Sequence, residues 1–276
     1  MWSTVRILSL DVVLGALASG VMAAAVLQVE MPLSWWVILP LSVWVVYTLD
    51  HLLDAMRLTG EAHTPRHQFH QRHLKSLQIV WGIAFAICVF VAPFWVPRPF
   101  LALAVGMGGL VILHLGLVWW VGDRISWVYH KELGVGGIYA LGVWGGPAVL
   151  APEINLADGL LFSQFFLLAM INLYTFSCYE IAIDELDGHS SFVRAIGVNR
   201  TQWLIKGLAC LILLIGLIGW GMLELTPWAE SIVFLMLGLL LLVSWRTEYF
   251  GQNERYRAWA DGAFLIPMLG FIPYFL

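Results

Sequence analysis

The stretch that decides the fold reads Cys178-Tyr-Glu-Ile-Ala-Ile-Asp-Glu-Leu-Asp-Gly-His-Ser-Ser191, and it follows a long apolar segment. It places Glu180, Asp184 and Asp187 at positions i, i+4 and i+7, which share one face of a helix. Like charges at this spacing repel each other by roughly a few tenths of a kcal/mol per pair, even on an exposed helix. Protons, basic side chains or metal cations must therefore offset the repulsion.

The rest of the chain is strongly apolar. Of its 276 residues, 61% are hydrophobic and only 12% are charged, and the mean hydropathy is +0.84. Soluble domains are about 45–50% apolar and about 25% charged. Because the excess runs along the whole length, the sequence predicts an all-α, multi-pass protein of the lipid bilayer. The net charge of −4 and the pI near 6.0 give no reason to expect a nucleic-acid partner.

Nine apolar segments approach the length of about 20 residues that a membrane-spanning helix needs. They lie at about 7–28, 33–54, 76–96, 99–121, 132–152, 157–182, 201–222, 227–245 and 259–275. The first is too long for the core of a typical signal peptide and contains Asp11, so we expect a helix there. Since no repeat or long linker divides the chain, we predict one bundle and one domain over residues 1–276.

The distribution of Lys and Arg predicts the orientation of this bundle, because basic residues concentrate in cytoplasmic loops. With a cytoplasmic N-terminus, only Arg98 of the 14 Lys and Arg residues falls on the outer side. The acidic row then lies at the cytoplasmic end of helix 6. A second acidic pair, Asp50 and Asp54, lies at the cytoplasmic end of helix 2. We therefore expect both acidic groups at the same membrane depth, facing the cytoplasm.

The pair Asp50 and Asp54 has two interpretations. The residues either flank a helix end and contact Arg57, or belong to a site, because intramembrane carboxylates usually mark function. Two carboxylate clusters facing one cavity suit hard cations, and Mg²⁺ commonly joins a few carboxylates to substrate phosphates. We therefore predict Mg²⁺ as the cofactor. The predicted metal-binding and catalytic residues are Asp50, Asp54, Glu180, Asp184 and Asp187.

Basic and histidine side chains crowd the segment between Arg57 and Lys75. This segment is either a solvated cytoplasmic loop or a clamp for an anion, since Arg binds phosphate oxygens in two-point fashion. Neighbouring cytoplasmic loops would close the same clamp. Acidic rows beside basic loops at a membrane face are what a receptor for a lipid diphosphate needs. The candidate diphosphate-binding residues are Arg57, Arg66, Arg72, Arg124, Lys131 and Arg194.

This arrangement resembles the UbiA superfamily of intramembrane prenyltransferases, whose members have nine helices and aspartate-rich motifs at the cytoplasmic ends of helices 2 and 6. The family's first motif, Asn-x3-Asp-x3-Asp, is similar to Val46-Tyr-Thr-Leu-Asp50-His-Leu-Leu-Asp54. The second often reads acid-x3-acid-x2-Asp and continues through Gly and Ser/Thr residues to Leu-Gly. It is similar to the segment from Glu180 to Gly197. The segment His130-Lys-Glu-Leu-Gly-Val-Gly-Gly-Ile-Tyr139 also resembles a conserved turn and small-residue helix of the family.

The resemblance implies that the chain ionises a prenyl diphosphate with Mg²⁺ and transfers the isoprenoid chain to a hydrophobic acceptor, expected to be aromatic. The chain departs from the family in two places. Val46 stands where the family has Asn, and Tyr47 or His51 would replace the metal or phosphate contact of that Asn. The segment after Asp187 is also shorter than in the family.

Four residues either line the cavity or form hydrogen bonds between helices. These are Tyr47, His51, Asn172 and Ser177.

Three other interpretations stay open at this point. A membrane terpene cyclase of the same superfamily would use the same residues, with the cation attacking its own chain. The spacing of His63, His67, His70 and His73 also suits a membrane di-iron oxygenase, because imidazole binds iron. A transporter or scaffold would use the acidic rows as an ion path, although transporter sites usually lie near the bilayer midplane.

Asp11 is either a buried partner for a basic residue or part of a cavity wall.

Overall fold

The structure of the protein is a computed structural model that describes residues 2–57, 60, 64–121, 131–186, 191–222 and 227–269. Within these ranges the secondary structure is helical throughout, with turns and no strand. The α-helices are α1 (Trp2–Ile7), α2 (Leu10–Val26), α3 (Leu33–Arg57), α4 (Pro65–Arg72), α5 (Leu74–Ala86), α6 (Ala92–Trp95), α7 (Arg98–Val121), α8 (Lys131–Leu150), α9 (Leu156–Leu186), α10 (Phe192–Ile196), α11 (Val198–Met222), α12 (Pro227–Trp245), α13 (Thr247–Gly251) and α14 (Arg255–Ala263). A π-helical turn (Ile87–Val91) joins α5 to α6, and a 3₁₀ turn (Gln252–Glu254) precedes α14.

Seven segments are long and apolar enough to cross a membrane, so the protein is a multi-pass integral membrane protein. They are Leu33–Met56, Leu74–Trp95, Arg98–Trp119, Lys131–Leu150, Leu156–Leu186, Val198–Trp220 and Pro227–Trp245. Helix α2 is a shorter apolar helix, and α14 has nine residues. The prediction of an all-α membrane protein is confirmed, while the number of nine spanning helices and the cytoplasmic N-terminus stay predictions. The predicted ninth segment extends beyond the described residues.

Helix α9 is the central element of the bundle. It packs against α8, α11, α12 and α14 along its length, and α10 folds back onto its end. Leu168 and Ile171 are fully buried in its middle. By contrast, Phe94, Val105 and Ile112 on the α6 and α7 side are 92%, 78% and 74% exposed. Such large exposed apolar side chains at these positions indicate a surface that faces lipid.

Helices α2, α3 and α8 meet at the side chain of Trp35. A Cβ added to Gly146 of α8 would overlap the Trp35 indole, and a Cβ added to Gly20 of α2 would lie 2.7 Å from the same ring. Because both positions carry hydrogen in place of a side chain, the three helices approach closely around one large aromatic residue. This packing brings the end of α3 next to the start of α8.

The segment after the first acidic pair is partly helical rather than a loop. Thr64 caps α4 by accepting a hydrogen bond from the His67 backbone N–H at 3.1 Å, and Pro65 occupies the first helical position. This Thr-Pro pair is a typical helix start. Helix α4 lies against α1, α3 and α5, so it covers the end of α3.

Candidate functional site

The first acidic pair lies in the last two turns of α3. Asp50 and Asp54 are half-buried, and both take part in interactions with neighbouring groups. Between them His51 is buried, and its Nε2 lies 3.2 Å from the Ser9 hydroxyl. The start of α2 therefore covers the inner side of this motif.

The second acidic row lies at the end of α9. Glu180 and Asp184 are half-buried there. Asp187, the third predicted ligand, lies outside the described residues. The long helix α9 carries the row to the same end of the bundle as Lys131, the first residue of α8.

Lys131 connects the two acidic groups. The charges of Glu132, Asp184, Asp54 and Asp50 all act on its ammonium group. Helix α8, which begins at Lys131, packs against both α3 and α9. The two acidic motifs therefore face a common cation at one end of the bundle, as a shared site requires.

The predicted diphosphate-binding residues differ in position. Arg66 points inward from α4, with Nη1 3.3 Å from His51 Nε2 and Nη2 donating to the Arg6 carbonyl at 3.2 Å. Burial and the nearby Arg257 lower the pKa of Arg66. Arg72 is exposed, and Arg194 is exposed and donates to the Asp184 carbonyl at 3.4 Å. The Arg57 side chain and Arg124 lie outside the described residues.

Arg257 of α14 is a site residue that the sequence analysis did not single out. Its guanidinium forms an ion pair with Glu180, and the Tyr256 hydroxyl donates to the same Glu180 oxygen at 2.9 Å. Burial acts to lower the pKa of Arg257, but Glu180, Tyr256 and Glu254 raise it overall. The available signal was weak, since Arg257 is one of several basic residues on the side that the sequence predicts to be cytoplasmic.

Glu132 was also missed, although it follows Lys131 directly. It is buried, and its Oε1 accepts hydrogen bonds from the Ser177 hydroxyl and the Phe192 backbone N–H, both at 3.0 Å. It thus ties the start of α8 to α9 and α10. Ser177, a candidate cavity residue, contacts this carboxylate.

A small cavity lies beside the two motifs, between α2, α3, α8, α9 and α14. Its volume is about 30 Å³, and its polar wall consists of Tyr47, Tyr139, Asn172 and Asp261. The Asn172 amide donates to Asp261 Oδ1 at 3.2 Å. Of the candidate cavity residues, Tyr47 and Asn172 line this space, whereas His51 and Ser177 form the contacts described above.

The described residues offer oxygen and nitrogen ligands for a cation in one region. The charges of Asp50, Asp54 and Asp184 all act on Lys131, and hard oxygen donors of this kind are what Mg²⁺ prefers. One ligand atom each of His51, Asp54 and His67 also lies within 4.8 Å of the others. The donor set at the ends of α3 and α9 therefore fits Mg²⁺.

Comparison with families and with curated proteins by sequence gives no match. Comparison of the fold with solved structures gives the apo structure of a UbiA homolog from Aeropyrum pernix K1. The two chains are 14% identical, and the likeness covers 96% of this chain and 98% of the other with a TM-score of 0.68. The resemblance predicted from the two acidic motifs is thus confirmed in the fold: this chain has the fold of a UbiA homolog.

Proposed function

We propose that the chain is an intramembrane prenyltransferase. It takes a prenyl diphosphate from the bilayer, ionises it with Mg²⁺ and transfers the isoprenoid chain to a hydrophobic, aromatic acceptor. The observation that carries the proposal is the convergence of two acidic motifs around Lys131, at one end of a bundle with a UbiA-like fold. The distribution of the basic residues supports a position of this end at the cytoplasmic face.

Asp50, Asp54 and Asp184 would hold Mg²⁺ in this site, with Asp187 completing the row. When bound, Mg²⁺ would neutralise negative charge on the departing diphosphate. Glu180 differs from the other acids, because its Oε1 already accepts from Arg257 and Tyr256. A role of Glu180 as a metal ligand therefore requires its second oxygen or a release of Arg257.

Lys131 and Arg66 would bind the diphosphate oxygens. Lys131 lies among the carboxylates, so its ammonium can contact an anion that the same carboxylates hold through metal. Arg66 reaches the inner side of the first motif beside His51. Arg194, which borders Asp184, would complete the contacts at the outer edge. These cations would stabilise the charge that develops as the diphosphate leaves.

The test is diphosphate release from farnesyl and geranylgeranyl diphosphates by detergent-purified protein with Mg²⁺. Asp50→Ala and Asp184→Ala are each expected to lower release on the order of 100-fold, because each removes a charge that holds the metal. Chelation of Mg²⁺ is expected to abolish release. Glu185→Ala is the matched control, since Glu185 is exposed on α9 next to Asp184. Diphosphate release that survives in both Asp variants contradicts the proposal.

Product analysis with and without an aromatic acceptor then separates a transferase from a cyclase.

A further inference from the structure

The small cavity borders the proposed diphosphate site. Tyr47 lines the cavity one turn before Asp50, whose charge acts on the Tyr47 hydroxyl. Asn172 lines it two turns before Glu180 on α9. A group bound in the cavity would therefore lie beside the place where a prenyl diphosphate ionises.

The polar wall of the cavity combines the hydroxyl groups of Tyr47 and Tyr139 with the acceptor oxygens of Asn172 and Asp261. Asp261 is only 7% exposed, and its Oδ1 accepts from Asn172. Asn172 is 8% exposed, and among the described residues its Oδ1 has no hydrogen-bond partner. A buried acceptor without a donor costs about 1–3 kcal/mol. Asn172 Oδ1 therefore favours a ligand that donates a hydrogen bond.

The surroundings of Asp261 act on its charge in opposite directions. Burial and the charge of Asp11 raise the pKa of Asp261, whereas the charges of Arg66 and Arg257 lower it. The same two guanidinium groups act on Asp11, which is buried at the start of α2, and Arg257 also pairs with Glu180. Asp261 can accept a proton here without leaving an isolated charge in the bundle.

The other residues of the cavity wall limit the size of the group that can bind. Val12, Val135, Leu173 and Phe264 are apolar. A Cβ added to Gly136 would lie 2.8 Å from the Met170 sulfur, so α8 and α9 approach closely beside this space. A volume of about 30 Å³ is enough for water or for one hydroxyl group. A larger acceptor would place only its hydroxyl in the cavity.

We propose that this cavity binds the hydroxyl of the nucleophile, from water or from a phenol acceptor, and that Asp261 accepts its proton. This inference rests on the proposed prenyl transfer. The C1–O bond of the prenyl diphosphate breaks, and its electron pair leaves with the diphosphate. The hydroxyl oxygen, or a ring carbon ortho or para to it, forms the new bond to C1. When a ring carbon forms the bond, the C–H bond at that carbon then breaks and its proton moves to the former hydroxyl oxygen, which restores the aromatic ring. The proton lost from the hydroxyl goes to the Asp261 carboxylate.

The principal variant is Asp261→Asn, which keeps the shape and an acceptor for Asn172 but removes the base. Purified protein is incubated with farnesyl diphosphate and Mg²⁺ in ¹⁸O-labelled water, with and without added phenol. Diphosphate release, ¹⁸O-labelled farnesol, prenylated phenol and hydrocarbon products are measured separately. The matched control is Glu230→Gln, a buried carboxyl of α12 that pairs with Gln164 away from the cavity.

The Asp261→Asn variant is expected to lower the oxygenated or prenylated product on the order of 100-fold relative to hydrocarbons formed by proton loss. Glu230→Gln is expected to leave this ratio unchanged. Farnesol as the wild-type product identifies water as the hydroxyl source, and its replacement by prenylated phenol identifies the phenol. An unchanged ratio in Asp261→Asn overturns the inference.

A binding measurement separates this site from the proposed transfer. Equilibrium dialysis of labelled phenol compares wild type with Asp261→Asn, Asn172→Leu and Glu230→Gln. Phenol binding that is about tenfold weaker in Asp261→Asn and Asn172→Leu, but not in Glu230→Gln, supports the site even if the wild type releases no diphosphate. Equal binding in all four proteins overturns it. Thermal unfolding of each variant shows that a loss does not come from misfolding.

Discussion

At the residue scale, Glu180 shows how a contact between helices changes what a motif position does. The acid row predicts three equivalent ligands, but Arg257 and Tyr256 of α14 both bind Glu180. Part of the repulsion within the row is therefore offset by a basic side chain rather than by metal. The charge of Asp184 acts on Lys131 instead, as the charges of Asp50 and Asp54 do.

Replacement of Arg257 by Met is expected to destabilise the protein by about 3 kcal/mol, because it leaves a largely buried carboxylate without its cation. The double variant Arg257→Met with Glu180→Gln is expected to recover most of this loss, since it removes both charges. Thermal unfolding in detergent measures both. Losses that merely add in the double variant would show that the pair contributes no coupling.

His70 predicts a pH dependence of stability. It is buried in α4, and its Nδ1–H donates to the Arg66 carbonyl at 2.9 Å. Burial lowers the pKa of His70, and the charge of Arg66 lowers it further. Below the unfolded pKa of about 6.5, the unfolded chain binds a proton that the folded protein does not, so stability falls as the pH falls.

The melting temperature is therefore expected to decrease from pH 7 to pH 5, with up to about 1.4 kcal/mol lost per pH unit from this group. The His70→Gln variant is expected to show a smaller slope. His73→Gln is the control, because His73 is exposed in the adjoining turn. Equal slopes in His70→Gln and the wild type would contradict the assignment.

At the scale of elements, α8 organises the site. The charges of both acidic motifs act on its first residue, Lys131, and Glu132 accepts hydrogen bonds from Ser177 of α9 and Phe192 of α10. Its later residues pack against Trp35 at Gly146. The position of the site thus depends on how closely α8 approaches α2 and α3.

Gly146→Ala is expected to destabilise the protein by about 1–3 kcal/mol, because the new methyl group overlaps the Trp35 indole. Gly142→Ala in the same helix is the matched control. Its Cβ would make an ordinary contact of 3.7 Å with the Met107 methyl group, so little change or a small gain is expected. Thermal unfolding of both variants tests the comparison; a stable Gly146→Ala protein would exclude close packing at this point.

At the scale of the whole molecule, the arrangement of buried and exposed surface agrees with a membrane bundle. The polar contacts that define the site concentrate around α9, whereas α5 to α7 present large apolar side chains outward. The described helices alternate so that the ends of α3 and α9 and the start of α8 lie on one side. The distribution of the basic residues predicts that this side faces the cytoplasm.

The predicted orientation can be tested by cysteine labelling in intact cells. A starting variant lacks Cys88, Cys178 and Cys210, and receives one new cysteine at Arg98 or at Arg246, both exposed. A membrane-impermeant maleimide is expected to label Arg98→Cys from outside, and Arg246→Cys only after permeabilisation. The reverse pattern would place the N-terminus and the site outside.

The sequence by itself predicted the seven described segments that are long and apolar enough to span a membrane, and the two acidic motifs with their spacing, because hydropathy and helical periodicity are local properties. Its resemblance to the UbiA superfamily also predicted the fold that the structure confirms. Only the tertiary structure decided that Glu180 pairs with Arg257, and that Asp11 and Asp261 lie in the field of the same two guanidinium groups. These residues lie on helices far apart in the chain, and no local pattern specifies which faces of those helices meet. The packing of small residues around Trp35 decides which faces meet. It therefore also decides which residues form the polar wall of the cavity.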